Sequence, residues 1–388
     1  MRQRRLTRAE LAAETGISKP TAGESVRRLT EAGLVVDTGQ RSAGGRGRGR
    51  VGSYYALADD SGLALAICIA PEGIVAECID AYGETLARVE RVVNRPARSD
   101  EVGAVLRAAA ADARHDAGLT PRLAVVSAAD PVDRRTGKLI QLPDAPFLLG
   151  ELDPVTVLAP HIDGPVTVDN DVNWAARAEH DNAGLAGDDF AYLFLGEGLG
   201  CAVVSDGEVR TGHAGLAGEI AHLITNGPNG QAARLIEVFG ELGLRQDDST
   251  AIDVDLLLTA TSGSDSHAAN TRKAVSQAVA GVLAAIVALA DPRLIVIGGS
   301  WGSHPAILDS ISEAVARLPR HAPIRPAEVT VEAPMTGARA DALKRLRSAI
   351  VAGAHLPRVA MPFPAAGGGA DGESLGMAEN TGPHMQQP

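Results

Sequence analysis

Apolar positions recur at helical spacing twice near the start of the chain. Residues 8–15 place Leu11 and Ala12 on one face of a predicted helix, and Gly16 supplies a stop signal. Residues 19–32 carry a second helical pattern, separated from the first by a short connection. Two helices joined by a tight turn that contains glycine are typical of a helix-turn-helix.

The second predicted helix is apolar on one side and polar on the other. Ser18 precedes it as an N-cap, Pro20 suits its first turn, and Val26 with Leu29 forms its buried face. The residues that can point outward are Lys19, Thr21, Ser25 and Arg28. A helix with a free polar side can enter the major groove of DNA. Ser18 and these four residues are therefore the DNA contacts predicted for the helix.

Glycine and arginine alternate in the segment that follows. Residues 39–50 lie between an apolar run at residues 34–36 and a strand-like run at residues 53–57. This pattern predicts a hairpin, whose tip would carry Arg46, Arg48 and Arg50. Guanidinium groups there suit phosphates or a narrow minor groove. A solvated linker is the alternative, but the position after a helix-turn-helix favours a wing, so residues 1–57 (the head) are predicted to form a winged helix-turn-helix.

Strand and helix patterns alternate through the remainder of the chain. Strand-like runs occupy residues 63–70, 73–79, 123–127, 166–168, 190–195, 200–204 and 294–297, and helical patterns occupy residues 100–117, 173–180 and 271–289. Such alternation predicts an α/β fold with mixed sheets. Residues 358–388 are rich in Pro and Gly and are predicted to form a disordered tail.

Charge is distributed unevenly along the 388 residues, which suffice for two or three domains. The whole chain has a net charge of −12. The head holds eleven Arg and Lys residues against five Asp and Glu, a net charge of +6, which leaves −18 for the remainder. A small basic head on a large acidic body indicates that only the head binds a polyanion.

Composition also indicates the cellular compartment in which the protein is expected to reside. The sequence shows no uninterrupted apolar run of about 18 residues, and its Arg-rich start leads into no signal-peptide core. We therefore expect a cytoplasmic protein without a membrane partner. Cys68, Cys78 and Cys201 are scattered over apolar strand-like runs, so they are expected to be buried small hydrophobic residues rather than disulfide partners or metal ligands.

The head resembles the winged helix-turn-helix of bacterial regulators of the ROK (repressor, open reading frame, kinase) family. The match covers Thr-Arg-Ala-Glu-Leu-Ala at residues 7–12, Thr-Gly-Ile-Ser-Lys-Pro-Thr at residues 15–21, and residues 29–34. Those regulators usually carry another helix before the Arg-Ala-Glu-Leu segment, where this chain has residues 1–7. Either the true start lies upstream, or the head lacks a supporting helix.

Residues 62–356 (the body) resemble the sugar-kinase domain of the same family, which has the two-lobed actin-like ATPase architecture. Residues 168–176 resemble the family's Asn-Asp motif, whose aspartate, here Asp171, takes the proton from a sugar hydroxyl. Residues 212–222 resemble the segment that supplies a sugar-binding Glu and His, and residues 236–237 fall where the family has a further Glu. The resemblance thus implies a sugar pocket lined by Asn170, Asp171, Glu219, His222 and Glu237. A lone Asp or His is more often a cap or core residue, but five matches in family order favour the pocket.

Both phosphate loops of the family's kinases are altered in this chain. The first, Asp-x-Gly-Gly-Thr, corresponds to residues 68–72, where Pro71 removes an amide donor and Glu72 adds a negative charge. The second, Gly-Thr-Gly-x-Gly, corresponds to residues 196–200, where Glu197 replaces the hydroxyl residue. Two carboxylates facing a triphosphate would cost on the order of several kcal/mol unless Mg²⁺ screened them. We therefore expect neither ATP binding nor kinase activity.

The zinc site of the family is altered as well. Family members combine the His matched by His222 with three cysteines, and here Pro228, Gly230 and Leu235 stand in the place of the cysteines. A lone imidazole does not hold structural zinc, which needs about four ligands, so no metal is expected. Asp130 replaces a glycine of the family's Pro-Gly-Pro-Val-Asp segment, and it is expected to intrude into the pocket or to alter its preference.

These observations predict a transcriptional repressor of carbohydrate metabolism rather than an enzyme, with Asp171 as a vestigial base. A sugar bound in the body would shift the arrangement of the heads on operator DNA, and paired half-sites would require a homodimer or tetramer. A neutral sugar is favoured over a sugar phosphate, given Glu72, Glu197 and the acidic body. One alternative is an active sugar kinase that also binds DNA, which Asp171 supports. The other is a ligand-independent regulator, which the altered zinc loop supports.

Overall fold

The computed structural model describes residues 3–42, 51–58, 61–142, 147–182, 184–185 and 188–352. The three arginines of the predicted wing tip (Arg46, Arg48 and Arg50) and the predicted tail at residues 358–388 lie outside the described residues. The described parts form a small N-terminal unit followed by two larger α/β lobes.

The N-terminal unit contains two helices and a three-stranded antiparallel sheet. Its elements are β1 (Leu6–Thr7), α1 (Arg8–Thr15), α2 (Lys19–Glu31), β2 (Val35–Arg41) and β3 (Ser53–Leu57). Strand β3 lies between β1 and β2. The two helices followed by a β-hairpin form the winged helix-turn-helix that the sequence predicted.

Local hydrogen bonds explain where the two helices of the head begin and end. Thr7 Oγ1 accepts from the Glu10 N–H at 3.2 Å while Glu10 Oε2 accepts from the Thr7 N–H at 2.7 Å, a reciprocal capping box. Helix α1 ends at Gly16, whose φ of 71° is left-handed and therefore favours glycine. Ser18 Oγ then accepts from the Thr21 N–H at 3.2 Å and starts α2.

The first lobe of the body is built on a five-stranded mixed sheet. In chain order its elements are β4 (Leu63–Ala70), β5 (Gly73–Ile79), β6 (Thr85–Arg91), β7 (Ala97–Arg98), α3 (Ser99–Ala117), β8 (Pro121–Ala128), β9 (Leu148–Leu149), α4 (Pro154–Leu158) and β10 (Val166–Asn170). The main sheet has the order β10-β8-β4-β5-β6. Strands β4, β8 and β10 are parallel, whereas β4, β5 and β6 are antiparallel neighbours. Helix α3 packs on β5 and β6.

The second lobe repeats this topology. Its elements are α5 (Asp171–Asn182), β11 (Phe190–Leu195), β12 (Leu199–Ser205), β13 (Glu208–Val209), β14 (Ile224–Asn226), β15 (Ala232–Arg234), α6 (Leu235–Glu241), α7 (Val254–Ser262), α8 (Ser266–Ala290), β16 (Leu294–Gly298), α9 (Pro305–Val315), β17 (Ile324–Pro326) and α10 (Ala333–Val351). The sheet order β13-β12-β11-β16-β17 again joins three antiparallel strands to a parallel pair. Helix α10 returns to the first lobe, where it packs on β4 and β8, and it also packs on α5. The mixed sheets confirm the predicted α/β class.

Helix α8 is the longest helix that the structure describes. By length and composition it is also the one described helix that could cross a membrane. Half of its apolar stretch is buried, and its residues Val275, Val279 and Leu283 belong to the apolar core of the second lobe. It contacts α6, α7 and α9, as expected for the core helix of a folded domain.

The head is packed against the first lobe. The Arg4 guanidinium lies over the Tyr82 ring, 5.2 Å from its centroid, and its Nη2 is 3.5 Å from Asp80 Oδ2. Tyr82 Oη donates to the Arg4 carbonyl at 3.0 Å and accepts from the Leu57 N–H at 3.4 Å. Leu34 and Leu57 pack against an apolar cluster that includes residues of β4 and α10. The junction therefore combines apolar burial with a tyrosine that bonds to both ends of the head.

Candidate functional site

A cleft of about 1230 Å³ lies between the two lobes of the body. It is lined by the β4–β5 turn, the β10–α5 junction, the β11–β12 turn, the end of β16 and the start of α10. Equivalent hairpins of the two repeated sheets thus face the same space. Ligands of open α/β sheets bind beyond the carboxyl ends of the parallel strands, and the cleft lies at those ends of β10 and β16.

Asn170 and Asp171 lie where β10 ends and α5 begins, and both line the cleft. The Val172 N–H donates to Asn170 Oδ1 at 2.9 Å and to Asp171 Oδ1 at 2.7 Å, which ties both side chains to the first turn of α5. Asn170 Nδ2 donates to the Asp130 carbonyl at 3.3 Å. The predicted Asn-Asp motif is therefore positioned by a strand end and a helix start rather than by a free loop.

Glu219 reaches the cleft from the loop before α6, in the second lobe. The preceding Gly218 has a φ of 100°, and a Cβ there would lie 1.8 Å from the Cys201 carbonyl oxygen. Only glycine fits this close approach, so the loop passes β12 tightly and presents Glu219 to the cleft. Cys201 itself is buried in β12, as the sequence predicted.

Two carboxyl groups of the cleft lining, Asp171 and Glu219, and a third next to the lining, Asp130, have raised pKa values. Burial raises the pKa of Asp171 to about 7, and the negative charges of Asp130, Glu219 and Glu72 add to the shift. Burial also raises the pKa of Asp130 to about 7, and burial with the charge of Asp130 raises the pKa of Glu219 to about 7. Near neutral pH these groups therefore exist partly as neutral acids, which can donate as well as accept hydrogen bonds.

The other two predicted sugar ligands do not line the cleft. His222 is half-buried in the loop before β14. Glu237 is exposed on α6, where its Oε2 accepts from the Arg234 N–H at 3.1 Å and its Oε1 lies 3.7 Å from Arg234 Nη1. The structure brings Asn170, Asp171 and Glu219 together at the cleft, and the roles of His222 and Glu237 stay predictions.

The segment where the family has zinc ligands forms a β-hairpin, β14–β15, in this chain. The Gly227 N–H donates to the Gln231 carbonyl at 2.7 Å, and Gln231 Oε1 accepts from the Asn229 N–H at 3.0 Å. Gln231 Nε2 donates to Glu241 on α6 at 2.6 Å. Within the described ranges, no three His, Cys, Asp or Glu side chains lie close enough together to hold a metal ion.

The two altered phosphate loops face the cleft from opposite lobes. Pro71 and Glu72 form the β4–β5 turn, where Glu72 is exposed. Glu197, in the β11–β12 turn, is bound across the cleft by Arg95, with Nη1–Oε2 and Nη2–Oε1 distances of 2.8 and 3.3 Å. Arg95 was not predicted, because it is 102 residues away from Glu197 and no local pattern marks the contact.

Acidic side chains dominate the lining of the cleft. Eight of the described lining residues are acidic, namely Glu72, Glu90, Asp171, Glu197, Glu219, Asp253, Asp255 and Glu332. The basic residue in that described lining is Arg91, which is ion-paired with Asp112. Such a lining opposes a polyanionic ligand and favours a neutral or cationic one.

The predicted DNA contacts of the head lie at the start and along one side of α2. Ser18, Lys19, Thr21 and Arg28 are exposed, and Ser25 is half-buried. Ser18 is itself the N-cap of α2, and its Oγ is also 2.7 Å from Thr21 Oγ1. The exposed end of α2 therefore presents hydroxyl groups and one ammonium group to solvent.

An acidic residue on α2 binds two arginines. Glu24 Oε1 accepts from Arg27 Nη2 at 2.6 Å and from Arg28 Nε at 2.9 Å. These hydrogen bonds, first that of Arg27 and then that of Arg28, lower the pKa of Glu24 to about 2. The sequence analysis did not single out Arg27, although its spacing of three from Glu24 and four from Glu31 is a signal for helical ion pairs.

Comparison with known proteins matches most of the body to one family. Residues 65–345 match the model of the ROK family, and residues 1–36 match a model described as winged helix-turn-helix DNA-binding. The N-acetylmannosamine kinase of Citrobacter koseri is 28% identical over 165 residues, which are 40% of this chain and 56% of that protein. The bifunctional enzyme NanE/NanK of Brucella melitensis is 29% identical over 39% of this chain. The match spans only 30% of that enzyme's length.

Solved structures show the same fold. The ROK hexokinase of Thermus thermophilus is 24% identical, with a TM-score of 0.58 over 74% of this chain and 99% of its own. A ROK family transcriptional regulator, described as a homologue of the E. coli MLC protein, is 19% identical, with a TM-score of 0.60 over 90% of this chain and 93% of its own. The second match extends beyond the body. The chain therefore belongs to the ROK family and carries an N-terminal winged helix-turn-helix.

Proposed function

We propose that this chain is a DNA-binding transcriptional repressor of carbohydrate metabolism whose body binds a sugar or sugar derivative in the cleft. The observation that carries the proposal is the packing of a winged helix-turn-helix directly onto a ROK body. Helix α2 exposes Lys19, Thr21 and Arg28, while the same chain places Asn170 and Asp171 in a cleft. A ligand that changes the body can therefore act on the head through the contacts of Tyr82.

The head is suited to DNA in charge and shape. Cations on an exposed helix neutralise phosphates and release counterions, and polar side chains at the helix start reach base edges. A homodimer or tetramer would place two heads on paired half-sites. The similarity to a solved ROK transcriptional regulator over 90% of the chain supports this assignment, as does the matched DNA-binding model. A cytoplasmic location follows from a partner that is chromosomal DNA.

The lack of an enzymatic function is part of the proposal. A kinase of this architecture has to hold the phosphates of ATP between the two hairpins that here contain Glu72 and Glu197. Arg95 binds Glu197, so one of the two charges is compensated inside the protein rather than by a bound metal and nucleotide. The phosphate side of the cleft therefore favours a sensor over a kinase.

An active sugar kinase is the second candidate. Asp171 supports it, because the side chain lies in the cleft with a pKa raised to about 7, a suitable value for a general base. The curated relatives that carry kinase names add to it. An assay that couples ADP release to a coloured product, run with a panel of hexoses and N-acetylhexosamines, distinguishes the candidates. Turnover that Asp171→Asn abolishes would replace the sensor proposal with a kinase.

A ligand-independent regulator is the third candidate. It is favoured by the positions of His222 and Glu237, which do not line the cleft with Asp171. A ligand that binds the folded state raises the melting temperature of the protein by mass action. A sugar panel that leaves the melting temperature of the full chain unchanged would favour this candidate.

The decisive experiment measures fluorescence anisotropy of labelled DNA from the region upstream of the gene, with and without each sugar. We expect sequence-specific binding that weakens as the salt concentration rises, and one sugar that changes the affinity. Unrelated DNA of equal length and charge is the control. Specific DNA binding that no sugar alters would indicate that the body serves only for oligomerisation. The absence of specific DNA binding would refute the proposal.

A further inference from the structure

Helix α10 is one continuous element that begins at the cleft and extends away from it. Its first three residues, Ala333, Pro334 and Met335, line the cleft. The helix has 19 residues and ends at Val351, which corresponds to a length of about 28 Å. A continuous helix moves as a unit, so a displacement of its start is also a displacement of its later turns.

The start of α10 is packed directly against α5, the helix that begins with Asp171. A Cβ atom at Gly337 would lie 2.0 Å from the Trp174 carbonyl oxygen, so the two helix backbones touch with no side chain between them. Trp174 also packs in one apolar cluster with Met335, and its Nε1 donates to the Val126 carbonyl in β8 at 3.0 Å. Because close-packed elements transmit displacements, a movement at the β10–α5 junction of the cleft also moves α10.

The later turns of α10 bind the turn between β5 and β6. Arg339 Nη2 donates to the Gly83 carbonyl at 2.6 Å. Arg347 donates twice, from Nε to the Ala81 carbonyl at 2.9 Å and from Nη2 to the Tyr82 carbonyl at 3.3 Å. Three successive carbonyl groups of the β5–β6 turn are thus bonded to one helix, which ties the turn to α10.

The β5–β6 turn is also the place where the head is docked on the body. Tyr82 Oη donates to the Arg4 carbonyl and accepts from the Leu57 N–H. Leu34 and Leu57 pack against the apolar cluster that includes Leu346 of α10. The head is therefore joined to α10 both through the hydrogen bonds of the turn and through apolar burial.

We propose that α10 transmits the ligand state of the cleft to the head, and that Arg347 is the positioning residue of this route. The inference rests on the proposed sugar-sensing function and names the element by which a bound sugar acts on DNA binding. A ligand between the lobes displaces the start of α10, and Arg347 carries the displacement into the turn that holds Tyr82. Shifts of about 1–2 Å between packed helices are typical of such transitions. Arg347 is half-buried and lies outside both the cleft lining and the predicted DNA contacts, so its part is to position the turn.

Fluorescence anisotropy of the full chain on labelled upstream DNA tests the inference, with glucose, mannose, N-acetylglucosamine and N-acetylmannosamine as probes. The measured quantity is the ratio of the DNA dissociation constants with and without each sugar, which expresses the coupling of the two sites. For a sugar that changes the DNA affinity of the parent chain, Arg347→Met should bring this ratio about three- to ten-fold closer to one, because two hydrogen bonds to the turn are lost. Arg347→Lys keeps a donor and the positive charge and should retain part of the coupling.

The matched control is Arg345→Met, which removes the same charge from the exposed side of α10, where Arg345 is ion-paired with Asp341. Sugar affinity without DNA, measured by isothermal titration, and DNA affinity without sugar should stay largely the same in all three variants. A ratio that Arg347→Met leaves unchanged, or that Arg345→Met brings equally close to one, overturns the inference but leaves the sugar sensor intact. A parent chain whose DNA affinity none of the sugars alters refutes the proposed function, and the inference with it.

Hydrogen–deuterium exchange of the parent chain gives a readout that does not depend on the folding of a variant. The sugar that changes DNA affinity should alter the exchange of backbone amides in α10 and in the β5–β6 turn as well as at the cleft. A sugar that alters exchange at the cleft, changes DNA affinity and leaves the β5–β6 turn unaffected overturns the inference, because the signal then reaches the head by another route.

Discussion

The polar surface of helix α2 and the polar wall of the cleft are built in opposite ways. On α2 the cationic side chains of Lys19, Arg27 and Arg28 are exposed, and Glu24 forms hydrogen bonds with two of them. In the cleft most of the charged groups are carboxyls, and burial raises the pKa of Asp171 in the lining and of Asp130 next to it. One surface keeps its charges hydrated and partly paired, whereas the other removes water from carboxyl groups whose hydrogen bonds come from backbone N–H groups.

This difference determines how each surface can recognise a ligand. Exposed cations act through long-range attraction and counterion release, so their effects depend on salt and are modest for each residue. Buried carboxyls act through desolvation, so they are costly without a ligand and depend on pH rather than on salt. The effects of substitutions on the two surfaces should therefore differ in size, and they should depend on salt concentration for α2 and on pH for the cleft.

The largest effect is expected from Asp130→Asn on the stability of the ligand-free chain. Burial raises the pKa of this carboxyl from 3.8 to about 7, so the folded state holds its proton between these pH values while the unfolded state has lost it. The free energy of unfolding therefore falls as the pH rises from about 4 to 7 and stays low above that range. Removing the group should stabilise the chain at pH 8 by up to about 4 kcal/mol, the equivalent of about three pKa units, and have little effect near pH 4.

Scanning calorimetry at pH 8 and pH 4 tests this prediction. The melting temperature of the variant should exceed that of the parent chain at pH 8 and should equal it at pH 4. Asp116→Asn, on the exposed side of α3, serves as the control for the loss of one negative charge. A variant that melts below the parent at pH 8 would mean that Asp130 has a stabilising partner in the folded chain.

The next largest effect is expected from Lys19→Ala on DNA binding. Lys19 is exposed at the first position of α2, where we predict that its ammonium group contacts the DNA backbone. Its loss should weaken specific binding by about ten-fold and lower the slope of log affinity against log salt by about one. Anisotropy titrations at several salt concentrations measure both quantities. Lys273→Ala, an exposed lysine on α8 of the body, should change neither, and an equal effect there would show that only net charge matters.

A smaller effect of opposite sign is expected from Glu24→Gln. This change releases Arg27 and Arg28 from the carboxylate that binds both, so they become free to contact phosphates. We expect DNA affinity to rise about three-fold, in keeping with the small free energies of exposed helical ion pairs. Because the pKa of Glu24 is lowered to about 2, the effect should be the same from pH 5 to pH 8.

Glu14→Gln is the control for this prediction, since it removes one negative charge from the exposed side of α1. Glu14 accepts a hydrogen bond from Gln3 at 3.2 Å and so is tied to a neutral side chain. If the two variants tighten DNA binding equally, the general charge of the head rather than the release of the arginines is responsible.

The two surfaces also differ in how far the sequence could predict them. The ends of α1 and α2 are set by Thr7, Gly16 and Ser18. Their capping and stop signals act on neighbouring residues and can therefore be recognised in the sequence. The pair Asn170 and Asp171 was predicted from the resemblance of residues 168–176 to the family's Asn-Asp motif, and it lines the cleft.

What the sequence could not show depends on contacts between distant segments. Arg95 and Glu197 meet because the two lobes fold against each other, and no local pattern in the sequence links the two residues. Resemblance to a family also suggests the role of a residue without fixing where that residue lies in the fold. Glu237 is bound to Arg234 at the start of α6, in a segment where the family's cysteines are replaced and a hairpin forms. The burial of the Asp130 carboxyl, whose Oδ2 has no hydrogen-bond partner among the described residues, likewise follows from the packing around it, although the replacement of a glycine by Asp130 was visible in the sequence.

The smallest effect on binding is expected from Tyr82→Phe, at the junction between the head and the body. The substitution keeps the ring beneath the Arg4 guanidinium but removes the hydroxyl that bonds to the Arg4 carbonyl and the Leu57 N–H. A hydrogen bond of this kind contributes about 0.5–1.5 kcal/mol, so the head should melt a few degrees earlier while the cleft keeps its affinity for ligand. Tyr55→Phe removes the hydroxyl that accepts from Arg8 at 2.7 Å, a bond that lies within the head. If Tyr82→Phe weakens the effect of a bound sugar on DNA affinity and Tyr55→Phe does not, Tyr82 transmits the state of the body to the head. If both leave that effect unchanged, the coupling passes through the apolar contacts of Leu34 and Leu57 instead.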